Sequence, residues 1–187
     1  ESSRMSQKME AGAVGSFLGV RECDVTLAIA EKTKQVLTER GYQVIMTRES
    51  NDVNMSWAER ARLAEKSGAG ALIHIHAHSQ ESTSVTGVLA SCQSSRNPYN
   101  GDLASESYAL SSCIAGSVSQ AAGAKNRGVK QTDTSSEINW SQVPVTSLET
   151  GFLSNQQEEL LLSQEEYQSQ IAVGIADGLD QFFAGRR

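Results

Sequence analysis

The sequence has no long apolar run. Its most hydrophobic stretches, such as residues 143–147 and 69–75, break within a handful of positions, far short of the roughly 20 needed to cross a bilayer. No membrane span is expected. There is no Lys/Arg cluster either, and 16 Lys+Arg against 22 Asp+Glu give a formal net charge of −6. That balance excludes the basic face that nucleic-acid phosphates require. Cysteine is scarce: Cys23, Cys92 and Cys113 include no C-x-x-C pair, so neither a thioredoxin-like dithiol nor a zinc knuckle is encoded. At most one disulfide can form; Cys92 with Cys113 is the pairing expected, leaving Cys23 as a thiol. The opening residues 1–9 (ESSRMSQKM) lack an initiator Met and the apolar core of a signal peptide, so the chain reads as cut from a larger protein. What remains is 187 residues, 39% hydrophobic and 20% charged, a size and mix that suit one domain, expected as a monomer. A polar carbohydrate or peptide substrate stays open.

Glycines at 12, 15 and 19 mark residues 1–18 as a loop or disordered segment. Val25, Leu27, Ala28, Ile29, Val36 and Leu37 then recur at helical spacing, with Asp24 at the N-terminal end, where a carboxylate favours the dipole, and Gly41 as the stop. Residues 42–47 (YQVIMT) read as a buried strand. Ser56 and Glu59 form a capping box for a helix through Glu65, and residues 69–76 (AGALIHIH) read as a second strand. A third strand is expected at 87–91, a long helix at about 102–121, a strand at 143–149 (VPVTSLE) and a last helix at about 165–183. Alternating strands and helices predict a single α/β domain, a mostly parallel sheet with helices on both faces.

In such sheets ligands gather outside the carboxyl ends of the strands. His76 and Glu149 end two predicted strands, and Glu22 lies in the loop before the first helix. The three histidines, His74, His76 and His78, are confined to five residues. Strand periodicity sends them to one side, as a metal site or as structural groups at a strand end. Glu22 alone reads equally as a helix-dipole partner. Glu149 closes an apolar strand, where an unpaired carboxylate is costly. Arg48 is expected to pair with the helix carrying Glu59 and Arg60. Arg127, in a predicted loop beside Gly128, suits a substrate carboxylate or plain solvation, and Trp140, in the polar stretch 133–140, suits a groove wall or the core.

The segments GVRECDVTL (19–27), RGYQVIMTR (40–48), Glu59-Arg60, LIHIHA (72–77), NRGV (126–129) and PVTSLETGFLSN (144–155) together resemble the zinc-dependent N-acetylmuramoyl-L-alanine amidases of bacteria. They stand in the family's order and cover nearly the whole chain. The resemblance implies hydrolysis of the amide between N-acetylmuramic acid and L-alanine in peptidoglycan, outside the membrane or on the cell wall. It makes Glu22 and His76 zinc ligands and Glu149 the catalytic carboxylate. Arg127, Trp140 and Asn155 are its weaker candidates for substrate contact.

One part of the pattern is missing. The family carries a first zinc-binding histidine in an Asp-x-Gly-His segment ending its first strand, and nothing before Glu22 matches. The strand and its histidine are therefore expected upstream of Glu1. Two alternatives stay open: His74 or His78 substitutes as the third ligand, or the domain is a non-catalytic wall-binding or regulatory module. A zinc peptidase cutting within the stem peptide is the enzymatic rival.

Overall fold

A computed structural model describes residues 12–186. The elements are α1 (Glu22–Glu39), α2 (Trp57–Lys66), β1 (Leu72–His76), β2 (Val88–Cys92), α3 (Ala104–Ala121), β3 (Asn126–Gln131), α4 (Ser136–Asn139), β4 (Val145–Glu149), α5 (Gln156–Leu162) and α6 (Glu165–Ala184). The described strands form one sheet in the order β1-β4-β2-β3. β1 with β4 and β2 with β3 are parallel, whereas β2 and β4 run antiparallel.

Period-two alternation divides the sheet into two unlike faces. Ile73, Ile75, Val88, Ala90 and Leu148 join the large core under α1, α3 and α6. Gly174 and Gly178 of α6 let that helix approach α3: a Cβ at either position would lie 2.5 Å from Val118 Cα or 2.6 Å from Ile114 Cα. The other face carries Leu72 and Val145 against Ala64 of α2 and Ile138 of α4, a much smaller core. It also carries the polar column His74, His76, Ser147 and Glu149, because β1 and β4 pair His74 with Ser147 and His76 with Glu149. Helices on both faces and a mostly parallel sheet are as the alternation predicts.

Several expectations need correction. Residues 42–47 form no strand. Tyr42, Val44 and Met46 are half-buried and Ile45 is exposed, the alternation of a strand without its ladder. The reason lies beside β1, whose sequence-near edge faces a cavity of about 890 Å³, walled by this segment, α1, α2 and β1 itself. Residues 126–131 are a strand rather than a loop. Their polar, exposed pattern is that of a sheet edge, which hides the apolar alternation a reader looks for. All three cysteines are free thiols. Ser111 of α3 is the residue that reaches Cys92, and Cys113, two positions on, is turned about 200° around the helix. Residues 1–11 of the predicted N-terminal loop lie outside the described residues. Residues 12–18 are loop as expected, pinned where the Glu159 carboxylate accepts from the N–H groups of Phe17, Leu18 and Val20. Among the described residues no helix is long and apolar enough to cross a membrane.

Candidate active site

Glu22, His76 and Glu149 converge at the carboxyl ends of β1 and β4. Glu22 is the first residue of α1, not a loop residue before it. Its buried carboxylate accepts from the backbone N–H of Ala13 at 2.7 Å and of Ala77 at 3.2 Å, with Oε1 3.1 Å from His76 Nδ1. Its orientation is therefore set by two backbone donors. Glu149 accepts from the His78 N–H at 3.2 Å through Oε2, and its strand register puts it beside His76.

A fourth group was not foreseen. Glu137 of α4 places Oε2 2.8 Å from His76 Nε2, so the imidazole lies between two carboxylates, one on each nitrogen. Glu137 is hard to pick out of the sequence because α4 is four residues long in a polar stretch; the apolar Ile138 beside it is the one local signal.

These contacts set the charges. Burial pushes the Glu22 carboxyl up, but hydrogen bonds from His76, Ala13 and Ala77 overcome it and hold the group down at about 2. Glu137 is likewise opposed by burial, yet its hydrogen bond to His76 and the imidazole's charge hold it at about 2. Burial works against a charged His76, but Glu137 and Glu22 carry it well above the ordinary 6.5. Glu149 is different: burial raises its carboxyl, the neighbouring His76 and His78 only partly offsetting that. A proton is thus held more readily on Glu149 than on the other carboxylates.

The remaining candidates fall into other roles. His74 is buried, its ring edge-on to Trp57 with centroids 5.2 Å apart, and burial depresses it to about 4. His78 lies past the strand, its side chain exposed. Arg48 does not pair with Glu59: it donates to Asn51 Oδ1, Cys23 O and Thr26 Oγ1, while Glu59 closes the capping box with Ser56. Arg127 donates to Thr86 O and lies over the Phe152 ring. Asn155 caps α5, accepting from the N–H groups of Gln157 and Glu158. Trp140 is exposed just after α4, so of its two expected places it takes the surface.

The donor chemistry at Glu22 and His76, one carboxylate oxygen and one imidazole nitrogen, suits a divalent cation of the zinc type. Among the described residues no group of three His, Cys, Asp or Glu side chains is arranged to hold a metal. A pair of such donors is one short of the three protein ligands that a catalytic zinc uses.

Residues 6–181 match the family model described as N-acetylmuramoyl-L-alanine amidase. An uncharacterized Bacillus subtilis protein, YqiI, is 31% identical over 93% of this chain and 79% of its own length. The amidase LytC of the same organism is 30% identical over 93% of this chain, which spans 33% of LytC. Among solved structures, an N-acetylmuramoyl-L-alanine amidase from Clostridium difficile 630 superposes with a TM-score of 0.84 at 25% identity, covering 95% of this chain and 92% of that one. The catalytic domain of CwlV, an amidase from Bacillus (Paenibacillus) polymyxa, gives a TM-score of 0.79 at 28% identity over 94% and 92% of the two chains.

Proposed function

We propose, from the premise that the chain belongs to the N-acetylmuramoyl-L-alanine amidase family, that it hydrolyses the muramoyl–alanine amide of peptidoglycan through Glu22, His76 and Glu149. The observation that carries this reading is the convergence of an oriented carboxylate, an imidazole and a second, proton-retaining carboxylate at one end of the sheet. Glu22 and His76 would hold the cation, taken to be zinc. Such a cation supplies Lewis-acid polarisation of the scissile carbonyl and lowers the pKa of bound water to about 7.

The chain's own work is proton transfer and orientation. Glu149 takes the proton from the attacking water and delivers it to the alanine nitrogen, without which an amine is a poor leaving group. Its raised pKa fits both halves of that cycle. The His78 N–H holds Oε2 in place. Glu22, fixed by Ala13 and Ala77, keeps its charge while buried. Because the substrate is the wall, the site of action is outside the membrane.

Digestion of purified peptidoglycan with the zinc-supplied protein tests the function. The expected products are intact stem peptides with a free alanine amino terminus. Glu149→Gln is expected to lower turnover by about 10²–10⁴-fold, the usual worth of a positioned acid–base group, while retaining the metal. Cleavage within the stem peptide, or full turnover by Glu149→Gln, sinks the proposal.

A further inference from the structure

The two carboxylates on His76 are not equivalent. Glu22 meets Nδ1 on the side that opens to the cavity, whose walls include Glu22, His76 and His78. Glu137 meets Nε2 from behind, on α4, and is no part of that wall. Its placement is tightly specified. Ser135 Oγ donates to its other oxygen at 3.3 Å, and the next residue, Ile138, is fully buried. Buried Asn100 clamps the end of α4, donating through Nδ2 to Ile138 O at 2.8 Å and to Ser141 O at 3.0 Å. Asn139 Nδ2 donates to Asp133 O at 2.9 Å, closing the loop. A four-residue helix has little stability of its own; these clamps hold it where Glu137 meets the ring.

We infer that Glu137 is a positioning residue which accepts the Nε2–H of His76, fixes the ring's orientation and tautomer, and so commits Nδ1 to the cation on the Glu22 side. The inference rests on the reading that Glu22 and His76 hold a cation. The chemistry follows from the imidazole itself. A neutral ring has one N–H and one lone pair, and an ionised carboxylate only accepts, so a carboxylate on Nε2 leaves the lone pair on Nδ1. A carboxylate behind a ligating histidine also makes the imidazole a better donor, and such partners are typically worth 10–100-fold in metal affinity. Glu137 touches neither substrate nor reacting atoms in this role.

Zinc affinity by chelator competition, with the cobalt-substituted absorption spectrum as a second readout, tests this on wild type, Glu137→Gln, Glu137→Ala and His76→Ala. Glu137→Ala is expected to bind zinc about 10–100-fold more weakly, with a shifted cobalt spectrum. Glu137→Gln, whose amide oxygen still accepts from Nε2 without the charge, is expected to fall between it and wild type. If Glu137→Ala is folded and keeps wild-type affinity and spectrum while His76→Ala loses binding, the positioning role is wrong and the cation site stands. If His76→Ala also binds like wild type, or wild type shows no saturable binding, the cation reading itself fails.

Discussion

His76 carries most of the site's electrostatics, and its two carboxylate contacts have a measurable consequence for the metal-free protein. Glu22 and Glu137 sit near 2 when folded against an ordinary 4.5. The stability they contribute is present above about 4.5 and is lost as pH falls through about 2. His76 is raised above its ordinary 6.5, so its contribution is full below 6.5 and is lost as pH rises through the folded value. Glu149, raised by burial, pushes in the same direction as His76, disfavouring the folded state once ionised. Chelator-treated protein is therefore expected to melt highest between about pH 4.5 and 6.5, and thermal melts across pH 3–9 check it. A melting temperature that climbs steadily to pH 8 would contradict the assignment. Glu22, His76 and Glu149 stand out in the sequence because motif order and strand ends mark them. Glu137 stayed hidden, since its role is created by a tertiary contact across 61 positions of sequence.

At the level of elements, what was legible depended on local periodicity. α1, α3 and α6 have long apolar stripes, and β1, β2 and β4 are short apolar runs, so all six were readable within a few residues. α4, α5 and β3 were not. α4 and α5 are too short for a stripe, and β3 is a polar edge. Residues 42–47 failed in the opposite sense, having the alternation of a strand without a ladder. A strand is a property of two paired segments, and among the described residues none pairs with 42–47. β1 makes the point testable. Leu72 donates to Pro144 O on the β4 side, so by alternation the Ile73 and Ile75 amides point to the other edge. Among the described residues no strand meets them there, so these two amides should exchange with solvent at least tenfold faster than those of Leu72 and His74, which face β4. Equal exchange would mean that this edge of β1 is covered.

Across the whole molecule the division of labour is between the two faces of the sheet. One face, under α1, α3 and α6, is apolar and provides the stability. The other spends its strand positions on His74, His76, Ser147 and Glu149, and needs only the small cluster of Ala64, Leu72, Ile138 and Val145 to seat α2 and α4. Buried ionisable groups are costly unless paired, and Glu22, His76 and Glu137 satisfy one another at the surface end of that face. The net charge of −6 plays no part in this arrangement; the ordering of a few donors does. On the proposed reading the cation lies between Glu22 and His76 Nδ1, away from Glu137. Anomalous scattering at the zinc edge, from crystals of the zinc-loaded protein, locates it. The predicted result is one peak within about 2.0–2.2 Å of Glu22 Oε1 and His76 Nδ1, the usual zinc–ligand range. A peak on the Nε2 side against Glu137, or none near His76, would contradict it.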